Sequence, residues 1–284
     1  KFGTVQISIK PKNGTYVSDF DKQRILNKLK KYAIAGINQK IIDLKVLYVE
    51  IDSAIYFNTS QVSNVETLKT NVTSTLAEYA QDVDMNRFGG RFKYSKILQL
   101  IDRVDSAITS NITKVVIRRD LKVLRNQFAQ YELCFGNQFH VKPNGFNIKS
   151  TGFRIAGESS VVYLTDTPTT TTTGILSIVK VGENGEKFVV AKEAGIVDYK
   201  KGEIILNTVN IVDTVVPEDI IEIQAFPESN DVVGLKDLYL SFDVSNSKIN
   251  MIKDVIASGE EISGVSFTRD YYTSSYSNGA LERK

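Results

Sequence analysis

The chain has 284 residues, 42% of them hydrophobic and 24% charged, the balance of an ordinary globular protein and not of a disordered one. Lys+Arg 35 against Asp+Glu 33 leaves a formal charge of +2, too little for a protein that grips a phosphate backbone. One Cys and one His exclude an intrachain disulfide framework and most zinc clusters.

No apolar run reaches the ~20 residues of a membrane helix, so neither nucleic acid nor membrane is expected as a partner. The sequence starts at Lys1 and reads as a piece of something longer. It contains no G-x-x-x-x-G-K-[ST] loop and no G-x-G-x-x-G after a strand. No catalytic residue, metal ligand or cofactor is assigned.

Thr4–Ile9 alternates as a strand, closed by the turn at Pro11–Gly14. Ser18 then offers an N-cap oxygen to a helix whose apolar stripe is Ile25, Leu26, Leu29, Tyr32 and Ala33, ending near Gly36. Leu44–Phe57 is long enough for one bent strand or two short ones. A second helix begins at a Ser63/Glu66 capping box and carries the seam Val65, Leu68, Val72, Leu76 and Tyr79. A third helix is expected from Ser95 to about Ile108, with Leu98, Ile101, Val104 and Ile108 inward, then a strand over Ile112–Arg118.

From about Leu124 the pattern shifts to short strands and Gly-rich turns. Asn184-Gly185 predicts a two-residue type I′ hairpin between Ile175–Val181 and Lys187–Ala191. Lys201-Gly202 predicts another between Ile196–Tyr199 and Glu203–Leu206. Ile220–Phe226 reads as a strand, and the Thr169–Thr173 run as an exposed connector. After Pro227 the expected order is strand Leu238–Val244, helix Ser247–Ala257 and strand Val265–Phe267.

The fold class is α+β: an N-terminal α/β sandwich of order β-α-β-α-α-β, a β-rich second domain, and a C-terminal segment that packs back on the first. The expected domain bounds are 1–123, 124–230 and 231–284.

Each residue that could carry chemistry has a simpler account. Arg24, Lys28 and Lys31 form a solvated helix face. His140 beside Phe139 reads as a packed or surface histidine, and Cys134 as a small hydrophobe. Asp82 and Asp84 lack the further ligands and the Glu of a calcium loop. Gly89-Gly90 lacks the following Lys of a phosphate loop. Glu183/Glu186 and Glu260/Glu261 sit in turns. Long capped helices and a tail with Tyr271, Tyr272 and Tyr276 point instead to an assembly component. Leu68, Val72, Leu76 and those three tyrosines are the candidate interface residues. The rival reading is a ligand- or carbohydrate-binding module of a tail fibre or adhesin, against which stands the absence of Trp.

The order of these segments resembles a known family. Gly3-Thr4-Val5 to Ile9, the helix around Ile25–Leu29 and Leu47-Tyr48-Val49 are similar to the baseplate J-like proteins of contractile phage tails. So are Phe92, Ser95, Leu98, Ile101 and Val104 followed by Val115-Val116-Ile117, and the likeness extends to Asp198-Tyr199-Lys200-Lys201-Gly202-Glu203. The resemblance implies a virion protein of the tail baseplate, assembled in the host cytoplasm. It implies homodimers that join wedges into a ring around the tail hub, contacts with other baseplate wedge proteins, and a ring kept connected during the conformational change of infection. It implies no catalytic site, cofactor or metal.

Overall fold

The computed structural model describes residues 3–11, 17–32, 36–82 and 85–259. In chain order the elements are β1 (Thr4–Ser8), α1 (Asp19–Lys30), β2 (Asn38–Ile42), β3 (Val46–Phe57), α2 (Val65–Ala80), β4 (Arg91–Phe92), α3 (Tyr94–Asp102) and β5 (Ile108–Lys122). There follow β6 (Phe128–Cys134), β7 (Lys149–Ser150), β8 (Phe153–Ile155), β9 (Val162–Pro168), β10 (Thr173–Val181), β11 (Lys187–Asp198), β12 (Glu203–Thr214) and β13 (Ile220–Ala225). The last are β14 (Val232–Val233), β15 (Tyr239–Phe242) and β16 (Lys248–Lys253). Strands dominate and helices are few, an α+β protein.

The chain divides into two compact units. Unit 1 gathers Lys1–Glu50, Ala80–Lys93 and Val115–Asp243; unit 2 gathers Ile51–Tyr79, Tyr94–Lys114 and Val244–Lys284. The stretch expected as a β-rich domain, 124–230, lies inside unit 1.

In unit 1, β1 and β2 pair in parallel from Thr4↔Asn38 to Ser8↔Ile42, the crossover being α1. The Ser18 hydroxyl accepts from the Asp21 amide at 3.1 Å, as its N-cap position requires. The helix ends at Lys30, earlier than expected, because the Lys31 and Tyr32 amides turn back to the carbonyls of Lys28 and Leu29. Tyr32 falls beyond that end and is 85% exposed, not part of a buried stripe. Ile25, Leu26 and Leu29 are only half-buried, and no residue of α1 is fully covered.

Most of the remaining strands of unit 1 pair antiparallel, while β15 runs parallel to β3 from Tyr239↔Val46 to Phe242↔Val49. β9, β10, β11 and β12 pair in succession, with β6 and β8 along different lengths of β12. The core there holds Leu133, Phe135, Phe139, Phe153, Leu164, Leu176, Ile204 and Leu206. The Phe135 and Phe139 rings meet edge to face at 5.0 Å.

The Asn184-Gly185 hairpin forms, with a different turn. The Gly182 amide bonds the Glu186 carbonyl, leaving a three-residue loop, and the Gly185 amide bonds Gly182. Only Gly185 is left-handed (φ 80°) while Asn184 is not, the pattern of a type I turn with a glycine bulge. Lys201-Gly202 lies in the turn of its hairpin, but the loop runs from Tyr199 to Gly202 between the opposed Asp198 and Glu203 and is not the expected two-residue turn: the Gly202 amide bonds the Asp198 carbonyl, and only Gly202 is left-handed (φ 68°). The threonine run is itself a hairpin turn between β9 and β10: Thr170 Oγ1 accepts from the Thr172 and Thr173 amides.

Unit 2 packs Ile51, Ile55, Phe57, Leu68, Val72, Leu76, Tyr79, Ile97 and Ile101 as its core. The N-cap of α2 is Asn64, not Ser63. Asn64 Oδ1 accepts from the Glu66 and Thr67 amides at 2.9 and 3.3 Å, so a single cap at Asn64 stands where the Ser63/Glu66 capping box was expected. The third helix stops at Asp102. Asp105 Oδ1 takes the Ala107 amide in a local turn, and Ile108 opens β5 instead of closing a helix. Ile97 and Ile101 are its buried residues, and Leu98 is only half-buried.

The segment expected as a helix over Ser247–Ala257 is instead β16, parallel to β3 from Lys248↔Asp52 to Lys253↔Phe57. Lys248 and Asn250 face out while Ile249 is buried and Met251 half-buried, a period of two. The strand expected at Val265–Phe267 lies outside the described residues.

Candidate functional site

Among the described residues the most heavily charged interior point is Arg118, on β5 in unit 1. Its side chain is 5% exposed and reaches four carboxylates. Nη1 bonds Glu50, Nε meets Asp120 at 3.0 Å, and Nη2 meets Asp243 at 3.3 Å. Glu222 lies 3.9 Å from Nη1. Gln224 Nε2 donates to the other oxygen of Glu50 at 2.8 Å. The guanidinium stacks 4.3 Å above the Tyr48 ring.

The sequence brings these groups together through the strands. Glu50 sits on β3 among the buried Leu47, Val49 and Ile51. In the β5–β13 register Asp120 opposes Glu222 and Arg118 opposes Gln224, while Asp243 follows β15, paired with β3. One guanidinium thus joins four neighbouring segments of one sheet face.

Burial raises the Glu50 and Asp120 carboxyls above the usual carboxylate range, with Arg118 pulling against it and the other carboxylates adding to it. For Arg118 burial acts downward, but the carboxylates, Asp120 first, outweigh it and its pKa is raised. Neighbouring Arg119 is lowered by burial; its Nη1 bonds the Cys134 carbonyl and its Nε has no hydrogen-bond partner.

Beside the cluster opens a cleft of about 560 Å³, lined by Lys22, Tyr48, Arg119, Asp120, Lys122 and Glu218 with aliphatic residues between them. Charges of both signs line it, and Lys22 is tied to Asp43 at 2.8 Å and Asp19 at 3.2 Å. A second buried polar point is Asp166, fully covered, which accepts from the Ile148 amide and from the Tyr199 hydroxyl, both at 2.7 Å.

Among the sequence-predicted interface residues, Leu68, Val72 and Leu76 are at most 3% exposed and fill the core of unit 2. Their area is spent inside the chain, leaving the outer face of α2 to any partner. Tyr271, Tyr272 and Tyr276 lie outside the described residues, as do Asp84, Glu260 and Glu261.

The other residues follow their simpler accounts. Arg24 pairs with Asp21 at 3.0 Å, and Lys28 and Lys31 are exposed. His140 Nδ1 meets Glu228 at 2.8 Å on a half-exposed surface. Burial pushes the Cys134 thiol up, away from reactivity. The Gly89 and Gly90 amides donate to Leu235 and Arg87, so neither is turned to an anion. Among the described residues no group of three or more His, Cys, Asp or Glu could hold a metal ion.

Sequence reading missed the Arg118 cluster. Its signal was there: a charge at Glu50 and three at 118–120 interrupt apolar strands, and a buried charge needs a partner.

Comparison with known proteins bears on the same residues. Residues 45–120, which contain Glu50, Arg118 and Asp120, match the family model "Baseplate structural protein gp6, C-terminal domain III", and residues 1–42 match "Baseplate structural protein gp6, C-terminal domain I". The baseplate wedge protein gp6 of Enterobacteria phage T4 is 24% identical over 123 residues, 43% of this chain. The shared stretch spans 18% of that relative's length. Residues 1–42 and 45–120 of this chain are thus similar, in chain order, to C-terminal domains I and III of the baseplate structural protein gp6.

Proposed function

We propose that the chain is a structural component of a contractile phage tail baseplate, acting through homodimers that join wedges into a ring around the tail hub. The ring stays connected while the baseplate changes conformation, and other wedge proteins dock on it. The observation that carries this reading is the match, in chain order, to two C-terminal domains of a baseplate structural protein. Its work is structural and not catalytic.

The N-terminal part supports the reading physically. Phe20 on α1 is 75% exposed, Tyr32 just after it 85%, and Val5 on β1 46%. Large apolar side chains this bare on one small β-α-β unit suit a surface that a second protein covers. Tyr271, Tyr272 and Tyr276 remain candidates for the same interface, and α2 contributes its outer face over the core leucines.

Sedimentation velocity tests the proposal. The purified chain should run as a dimer at about 10 µM, where a ~1 µM dissociation constant gives mostly dimer, and Phe20→Glu with Tyr32→Glu should return it to monomer with unchanged circular dichroism. A wild-type chain that stays monomeric up to about 100 µM, equivalent to an affinity weaker than about −5.5 kcal/mol, overturns the homodimer.

A further inference from the structure

We infer that Glu50, Arg118, Asp120, Glu222 and Asp243 form a proton-binding clamp on the segments through which the chain leaves unit 1, tight with one proton bound and looser without it.

The first ground is position. Glu50 and Asp243 are the last residues of unit 1 on two of the segments that leave it, and Arg118 lies three residues beyond Val115, where β5 enters it. Arg118 bonds both Glu50 and Asp243 while standing between Asp120 and Glu222. This one hub ties the ends of β3 and of the β15 segment to β5 and β13 through side chains, beside the backbone pairing of the strands.

The second ground is charge. With every group ionised, one guanidinium faces four carboxylates. Asp120 and Glu222 are register partners, like charges directly opposite across two strands. A guanidinium has five N–H donors, enough to bond two carboxylates well but not to neutralise four.

The groups that contact the hub are Glu50 and the Tyr48 ring from β3, Asp120 from β5, Glu222 from β13 and Asp243 after β15, with the neutral Gln224 on Glu50; Arg119 also acts on Asp120 from the next position of β5, and Lys22 and Lys122 share with Asp120 the lining of the cleft. One shared proton removes a negative charge from this crowd, and it belongs to the cluster and not to a single carboxyl. The raised Glu50 and Asp120 carboxyls agree with that direction.

Hydrogen exchange of the whole chain, corrected for the intrinsic rate at each pH, tests the clamp. Amides of residues 46–50 and 239–243 should be protected about tenfold more at pH 5.5 than at pH 8, while β10–β11 amides change little. A tenfold change corresponds to one pK unit of differential interaction. Glu50→Gln, a permanent stand-in for the protonated carboxyl, should hold the high protection at both pH values. Glu222→Gln, at a less buried position, should shrink the pH difference and serves equally if the first variant does not fold. Wild-type protection that is the same at both pH values overturns the clamp. So does an undiminished pH difference in whichever of the two variants folds.

Discussion

Truncating Leu76 separates a core seam from an interface seam on α2. Leu76 has no exposed surface, and its neighbours along the helix, Val72 and Tyr79, are nearly as covered. Leu76→Ala removes three methyl or methylene-sized groups from a packed site and leaves part of their volume empty. Fully buried Leu→Ala changes cost about 3 kcal/mol, within a range of roughly 2–5. Against a stability of about 5–15 kcal/mol that is a large share. Urea unfolding followed by far-ultraviolet circular dichroism gives the number, with tyrosine fluorescence as a second probe because the chain has 13 Tyr and no Trp. Hydrogen exchange should place the loss in α2 and the rest of unit 2. The decisive control is concentration. A core residue costs the same at about 1 µM and about 50 µM, whereas a residue that stabilises only through a dimer loses its effect on dilution. A loss under about 0.5 kcal/mol, the size of an ordinary surface change, would refute the core assignment.

Tyr199→Phe removes the hydroxyl bonded to Asp166 at 2.7 Å and leaves a buried carboxylate oxygen unpaired, at a cost of about 1–3 kcal/mol by urea unfolding. Burial first, then that hydrogen bond, pushes the Tyr199 phenol well above its usual pKa. Its contribution is therefore complete below about pH 10, where the unfolded tyrosine begins to ionise, and is lost as pH rises beyond it. A thermal-melt series in alkali should show wild type losing more stability above pH 10 than Tyr199→Phe. Gly174→Ala would bring a Cβ to 2.5 Å from Tyr199 Oη and 2.9 Å from the Thr167 carbonyl, so it should lower the melting temperature by several degrees. Thr109→Val removes the hydrogen bond that does most to hold the Asp254 carboxyl below its usual range. Carbon-detected NMR titration should find Asp254 shifted upward in that variant. In wild type, the depressed carboxyl contributes stability above its unfolded pKa and loses it as pH falls.

How much of this was legible in the sequence depended on whether the deciding interaction was local. Ser18 as an N-cap and Lys201-Gly202 as a turn were readable because the group that satisfies the backbone lies within a few residues. Asn184-Gly185 was readable as a hairpin but not as a turn type, since the same dipeptide serves a two-residue loop or the end of a three-residue one. The α2 cap slipped from Ser63 to Asn64 for a similar reason: both are good caps, and the choice is the start of the helix itself. Ser247–Ala257 misled because Ile249, Ile252, Val255 and Ile256 fit a helical stripe as well as Ile249 and Met251 fit a strand. The arbiter was β3, whose 52–57 stretch takes β16 as its parallel neighbour from nearly 200 residues away.

The Arg118 cluster marks the same boundary from the side of chemistry. That Glu50 and Arg118 interrupt apolar strands is visible in the sequence, and so is their need for partners. Which partners they take is fixed by the β5–β13 register, where a slip of one residue would turn Asp120 and Glu222 away from the hub and present Leu121 or Ile223 instead. Buried charge of this kind is weak as a source of stability but strong as a constraint, because the wrong register strands a guanidinium without a counter-charge. Arg118→Met alone strands four carboxylates without a counter-charge and should cost about 3–5 kcal/mol. Adding Glu50→Met removes the most buried of them and should recover part of that loss in the urea midpoint, with broadened or doubled amide resonances for residues 117–122 and 220–225. Sharp single resonances in the double variant, with the loss undiminished, would mean that the cluster holds the sheet by strength and not by selecting its register.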